Sequence, residues 1–213
     1  MFFNCKFLYI EVMKYIKTYE QSNVTILDYS NKGLEYLPEL PEGLKGLYCN
    51  DNQLKELPEL PEGLKDLYCG YNQLKELPEL PESLERLICY DNQLSELPEL
   101  PEGLTVLYCS DNQLSELPEL PEGLTILYCG NNQLSELPEL SEGLERLICS
   151  DNKLSELPEL PEGLTYLNCG NNQLPFEDLE GYKEWYKENI ETIKEDGLKV
   201  AYELSNSINK YNV

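Results

Sequence analysis

A cysteine recurs every 20 residues, at Cys49, Cys69, Cys89, Cys109, Cys129, Cys149 and Cys169. Everything around it recurs with the same period. From Leu44 the unit reads LKGLYCNDNQLKELPELPEG, and copies begin again at Leu64, Leu84, Leu104, Leu124 and Leu144. A truncated copy, LTYLNCGNNQLP, starts at Leu164, and a divergent one starts at Val24, with Tyr29 in the cysteine slot and Lys32 in an asparagine slot. About eight coils therefore span residues 24–175. A unit this short cannot enclose its own apolar side chains, so the units must stack and bury them between neighbours.

Within a unit, Leu47 and Cys49 alternate with Gly46 and Tyr48, the period-two pattern of a short strand. One strand per coil, stacked in register at about 4.8 Å, predicts a parallel sheet. Leu44, Leu47, Leu54, Leu57 and Leu60 and their counterparts are expected to point inward as continuous columns. The asparagine column (Asn52, Asn72, Asn92, Asn112, Asn132, Asn152, Asn172) falls where the chain turns away from the sheet. There an amide, with donors and an acceptor, bridges one coil's loop to the next. The run L-P-E-L-P is too short for a helix. Its two prolines fix φ near −65° and remove two N–H groups, which predicts an extended, polyproline-like segment.

The pattern L-x-x-L-x-C-x-x-N-x-L followed by L-P-E-L-P-E resembles the leucine-rich repeat family in its shortest, 20-residue class. It is similar to repeats of bacterial effectors of the Yersinia outer protein M and invasion-plasmid-antigen H type, and of giant-virus proteins. The resemblance implies an α/β solenoid with a concave parallel sheet, an extended polyproline-like convex side and helical caps. It implies protein recognition as the function, although one repeat scaffold carries many activities.

Composition narrows the chemistry. The 213 residues hold 16 basic and 40 acidic side chains, a net charge of −24 and no histidine. Without histidine the usual neutral-pH base and the Ser-His-Asp and Cys-His pairs are missing. Such acidity argues against nucleic acid as a partner, because phosphate binding draws on clustered Lys and Arg. No apolar run is long enough to span a membrane. No cofactor and no catalytic residue are expected, and the chain reads as a non-enzyme. A ligase by analogy with the effector family would need a catalytic domain after the repeats, and Cys5 is the one cysteine outside the ladder.

In-register strands bring the ladder cysteines within disulfide range, so distance does not exclude bridges. Direction opposes them, since parallel neighbours send their Cβ atoms the same way. Tetrahedral metal coordination needs converging ligands, which a straight row does not supply. The favoured reading is packing as small apolar residues, and reduced thiols then imply an intracellular, reducing compartment. The first residues, interrupted by Lys6 and Glu11, make a poor signal peptide.

Open solenoid ends need caps. Residues 1–23 are expected to supply one, with Leu8, Val12, Tyr15, Ile16 and Tyr19 at helical spacing, although a strand also fits. Residues 176–213 are expected to supply the other: Leu179, Tyr182, Trp185, Tyr186, Ile190 and Ile193 line one helix, and Leu198, Ala201, Leu204 and Ile208 a second after Asp196-Gly197. Trp185 reads as a plug over the last coil rather than a docking anchor.

What varies between copies lies on the outward strand positions. The candidate partner-binding residues are Tyr48, Tyr68, Arg86, Ile88, Tyr108, Tyr128, Arg146, Ile148 and Tyr166, which gather the chain's two arginines. Tyrosine and arginine are enriched at binding hot spots, while a cross-strand tyrosine ladder also stabilises a sheet with no ligand. Arg86 and Arg146 sit in copies that both begin LERLIC, which a three-repeat duplication also explains. The expected partner is a protein met by a monomer. The alternative is a self-associating structural or adaptor protein. Calcium is a sharper reading of Asp51, Asp91, Asp111 and Asp151, a series interrupted by Tyr71 and Asn131.

Three glutamate columns (Glu39 to Glu159, Glu42 to Glu162, Glu56 to Glu156) hold 20 of the 40 acidic residues. At about 5 Å in water each like-charged neighbour costs somewhat under 1 kcal/mol, and salt screens it. The thermal midpoint should therefore rise with ionic strength. Melts recorded in low and high sodium chloride check this, and an unchanged midpoint means that the columns exert no mutual strain.

Overall fold

The computed structural model describes residues 24–189. Eight three-residue strands form one sheet in chain order: β1 (Ile26–Asp28), β2 (Gly46–Tyr48), β3 (Asp66–Tyr68), β4 (Arg86–Ile88), β5 (Val106–Tyr108), β6 (Ile126–Tyr128), β7 (Arg146–Ile148) and β8 (Tyr166–Asn168). Every pair is parallel and every residue faces its counterpart 20 positions on, as in Leu47 opposite Leu67 and Tyr48 opposite Tyr68. The sequence period thus becomes the sheet register. The coils form an α/β solenoid of the leucine-rich-repeat fold, and each strand touches only its neighbours in the sequence.

Alternation holds as expected. Leu47 and Cys49 are fully buried, and their equivalents form unbroken columns together with Leu44 and Leu54. Leu57 and Leu60 close the core from the opposite side, nearly buried. The run that carries the two prolines holds neither helix nor strand. Its one departure in the middle coils, Ser141 in a proline slot, is buried, and its hydroxyl donates to the carbonyls of Glu122 and Leu124 at 2.9 and 2.7 Å.

The asparagine column holds the stack together. Asn112 Nδ2 donates to the carbonyls of Cys89, one coil back, and of Cys109 and Ser110 in its own coil, at 3.2, 3.1 and 3.1 Å. Its Oδ1 accepts from the Leu94 N–H of the preceding coil at 3.0 Å. The pattern repeats at Asn72, Asn92, Asn132, Asn152 and Asn172. At Asn52 the tyrosine-bearing first coil substitutes its Tyr29 carbonyl at 2.9 Å. One amide satisfies backbone groups that lost their strand partners at the turn.

Just before each position of the asparagine column, and before Lys32 in the same slot of the first coil, the backbone turns left-handed. Asn31, Asp51, Tyr71, Asp91, Asp111, Asn131, Asp151 and Asn171 all have φ between 52° and 57°. Asp and Asn tolerate that region because their short polar side chains bond locally, and seven of these eight positions are Asp or Asn. The aspartate series therefore has a backbone reason for existing, and Tyr71 is the exception to it.

The carboxyl-terminal end is closed by a strand-like return and a helix. Phe176 is buried, the Cys169 N–H donates to the Glu177 carbonyl at 2.8 Å, and Asn168 bridges antiparallel to Asp178, so this segment covers the free edge of β8. Helix α1 begins at 179 and is described to 189. Asp178 caps it, accepting from the Gly181 N–H at 2.8 Å. Leu179, Tyr182 and Trp185 pack on the core, with Trp185 5.4 Å from Phe176 between ring centres, in keeping with the plug expected for this tryptophan. Phe176 and its edge-covering segment were not anticipated. Tyr186 is exposed rather than part of the packed stripe. The expected amino-terminal cap (1–23), Ile190, Ile193 and the second carboxyl-terminal helix lie outside the described residues.

Replacing Asn112 by Ala strands the Leu94 N–H and the Cys89 and Cys109 carbonyls inside the solenoid. At about 1–3 kcal/mol per orphaned buried group, a loss of about 3 kcal/mol in unfolding free energy is expected, measured by urea titration.

Candidate functional site

The strand residues that alternate with the buried leucines build the outer face of the sheet. The third residue of each strand forms one row: Tyr48, Tyr68, Ile88, Tyr108, Tyr128, Ile148 and Asn168. All are half-buried except Ile88, which is buried between its neighbours. Two tyrosine pairs form where copies coincide. Tyr48 and Tyr68 are tilted at 40° with ring centres 4.8 Å apart, and Tyr108 and Tyr128 stack at 11° and 4.3 Å. Gly46 leaves room for this row, since a Cβ there would stand 3.2 Å from the Tyr48 ring. Burial, together with the Tyr128 phenol, raises the Tyr108 hydroxyl above its ordinary range, and burial with the Asp66 charge does the same for Tyr48. Both phenols are neutral hydrogen-bonding groups at physiological pH.

The two arginines occupy equivalent places in near-identical copies and behave differently. Arg86 forms an ion pair with Asp66, its cross-strand neighbour. Beside it Lys65 pairs with Glu85. Arg146 faces Ile126 instead, so the same position offers no carboxylate. Its Nε–H donates to the Tyr128 hydroxyl at 2.9 Å and its guanidinium lies 5.0 Å over the Tyr166 ring. The first arginine is neutralised within the molecule. The second is held between two tyrosines and remains exposed, with no carboxylate paired to it among the described residues.

Between these two charged rungs lies an uncharged window. Thr105, Val106 and Tyr108 on one rung and Thr125, Ile126 and Tyr128 on the next carry no charge, while Glu85 and Arg86 border one side and Glu145 and Arg146 the other. The threonine hydroxyls turn back to the backbone, Thr105 to the Glu85 carbonyl at 3.1 Å and Thr125 to the Thr105 carbonyl at 3.0 Å, which leaves their methyl groups for contact. All nine candidate binding residues thus share one face, with Tyr166 the most exposed of the tyrosines among them at 42%. The Asp66–Arg86 pairing escaped the sequence reading, although residues of opposite charge 20 positions apart signal it in any in-register stack.

The other candidate chemistries resolve differently. The seven ladder cysteines are free and fully buried. Burial pushes the Cys49 thiol up to about 12 and the Cys169 thiol up to about 11, and holds those of Cys69, Cys89, Cys109 and Cys129 well above the ordinary value. A buried neutral thiol is a packing group, not a nucleophile. Among the described residues no group of three Cys, Asp or Glu side chains is placed to hold a metal ion. In the aspartate column Asp111 and Asp151 accept from the amides of Asn131 and Asn171 at 2.6 and 2.8 Å.

The folded thiols keep their protons at a pH where unfolded thiols, with an ordinary value of 9.0, release them. Their stabilisation is complete below pH about 9 and is lost as pH rises through the folded values. The thermal midpoint should fall progressively above pH 9. Peptide mapping after iodoacetamide at pH 8 should find the ladder cysteines unmodified in the folded chain and alkylated in urea.

Comparison with known proteins extends these observations. A family model described as Leucine Rich repeats (2 copies) matches residues 102–142. No curated protein sequence matches the chain. Among solved structures, YopM from Yersinia enterocolitica WA-314 is 39% identical with a TM-score of 0.59, over 71% of this chain and 43% of that one. The chain thus spans less than half the length of that relative. A Shigella effector LRR domain is 34% identical with a TM-score of 0.65, over 77% of this chain and 76% of that one. The functional domain of InlJ from Listeria monocytogenes, which includes a cysteine ladder, is 30% identical with a TM-score of 0.63, over 75% of this chain and 37% of that one.

Proposed function

Because the chain belongs to the leucine-rich-repeat proteins, we propose that it is a non-catalytic protein-recognition module whose partner docks on the sheet face, centred on Val106, Tyr108, Ile126 and Tyr128. The observation that carries this reading is the uncharged window itself. In a chain of net charge −24, two adjacent rungs present aliphatic, methyl and tyrosyl surface without a charge, bordered by charged rungs. An apolar centre inside a polar rim is the anatomy of a protein interface, where truncating a few central residues abolishes most of the affinity. The family resemblance to effector repeat domains supports the same function.

The stacked Tyr108 and Tyr128, and Arg146 held by the Tyr128 hydroxyl and the Tyr166 ring, are pre-organised. Side chains already fixed in the free protein lose little entropy on binding. The partner then contributes apolar side chains to the window and a carboxylate to Arg146. The module acts as a monomer in a reducing compartment, since its seven ladder thiols serve the core only while unoxidised.

The test substitutes Tyr108→Glu and Tyr128→Glu together in the full chain. The melting curve should stay cooperative, because both rings are on the outer face. A partner captured from lysate by the unsubstituted chain, once identified and purified, should bind the double variant at least about 30-fold more weakly by calorimetry, which is about 2 kcal/mol. Equal affinity removes the sheet face from the function. Concentration-dependent oligomers by light scattering, abolished by the same substitutions, would make the face a self-association surface instead.

A further inference from the structure

The left-handed position before each asparagine is Asp or Asn in every coil but one. Tyr71 adopts φ 52° with a bulky side chain, a conformation such residues rarely take, and the residue is 47% exposed. It does not stand alone. In the next coil Tyr90 occupies a slot that elsewhere holds Asn50, Gly70, Ser110, Gly130, Ser150 and Gly170. The two rings meet edge to face, with centres 5.0 Å apart at 76°. Tyr90 lies directly over Gly70, where a Cβ would come within 2.9 Å of the ring, so the glycine is what lets the corner close. The Gly70 N–H is fixed from the other side by Asn50 Oδ1 at 2.9 Å. Two departures from the repeat, in adjacent coils, together with the glycine that makes room for them, thus build one aromatic corner.

Asp51 and Asp91 occupy the same column as Tyr71, one coil before and one after, and both are exposed. Their charges reach the Tyr90 phenol, which burial, the neighbouring Tyr71 and these two carboxylates hold above its ordinary range. A π face at right angles to a π edge, between two carboxylates, suits one ligand chemistry. That ligand is an organic cation, attracted by the ring face and by the flanking charges. A tyrosine at the left-handed position of Tyr71 is otherwise an unfavourable choice where Asp or Asn would be relaxed.

We propose that Tyr71, Tyr90, Asp51 and Asp91 form a recognition site for a lysine or arginine side chain on a basic segment of a partner protein. Charge complementarity argues for this occupant: the chain carries 40 acidic against 16 basic side chains, and its field draws basic segments to the surface. The site lies beyond the carboxyl ends of β3 and β4, outside the uncharged window, and stands or falls independently of the function proposed above.

A fluorescein-labelled lysine–glycine nonapeptide, titrated with the full chain at physiological ionic strength and followed by anisotropy, tests it. Tyr71→Asn should weaken binding roughly fivefold or more. The same substitution relaxes the left-handed residue, so the thermal midpoint should not fall, and weakened binding cannot be ascribed to unfolding. Asp51→Asn with Asp91→Asn, both compatible with the left-handed backbone, should weaken binding more than Glu96→Gln with Glu116→Gln, which removes the same charge away from the corner. Equal losses from the two pairs would show that net charge alone attracts the peptide, and unchanged binding by Tyr71→Asn would dispose of the aromatic corner. Self-association abolished by Tyr71→Asn would make a second copy the occupant and overturn the basic-segment assignment.

Discussion

The bond from each asparagine to two coils at once governs the rest of the structure. Leucine burial alone does not fix how one coil sits on the next, because Leu54, Leu57 and Leu60 recur every three residues and a three-residue slip would lay leucine on leucine. The amide admits no such slip. Its Nδ2 must reach cysteine carbonyls of both coils and its Oδ1 a leucine N–H of the preceding one, and any other offset leaves these groups unpaired in an apolar interior. Hydrophobic burial supplies most of the driving force for stacking, and one side chain per coil supplies the register. The small, unbranched thiol of the adjacent cysteine fills what space is left beside the strand turn.

Register explains why so much of the fold was legible in the sequence. A buried column is one residue type repeated at a fixed interval, and the leucine, cysteine and asparagine columns needed no tertiary information to be recognised. The outer face was legible only as a set of positions. Arg86 and Arg146 sit in copies of identical local sequence, LERLIC, and a duplication makes them look equivalent. Their difference is written one coil earlier, where Asp66 neutralises the first and Ile126 leaves the second to the tyrosines. The unit that determines a side chain's environment is the pair of adjacent coils, not the coil. The left-handed column was missed for another reason: Asp and Asn read first as potential ligands, whereas their identity here follows from backbone conformation. Phe176 escaped because the return of the chain over β8 has no counterpart in the repeats.

Because each coil touches only its neighbours, local costs stay local. In a globular core a strained or exposed aromatic residue perturbs packing in several directions. Here Tyr71 affects the turn it occupies and the ring of Tyr90 one coil on. The surrounding leucine and asparagine columns are unbroken through that region. A scaffold stabilised additively along one axis therefore tolerates departures at its surface, and the places where copies differ are those where selection has room to act.

The charge distribution completes this division of labour. Electrostatic fields act over about a Debye length and do not discriminate between partners of like charge, whereas apolar contact discriminates by shape but acts only at touching distance. The exposed glutamate columns lie outside the strand face, and the two uncharged rungs are bordered by charges that are partly neutralised in place, Lys65 by Glu85 and Arg86 by Asp66. Charge and uncharged surface thereby fall on different sides of one coil. Under the function proposed above, altering the glutamates would change how fast a partner arrives without reshaping the window, and altering Val106, Tyr108, Ile126 or Tyr128 would change which partner stays without changing the net charge. That separation is available to a 20-residue coil because the buried leucine and cysteine columns lie between its strand face and its proline-bearing side.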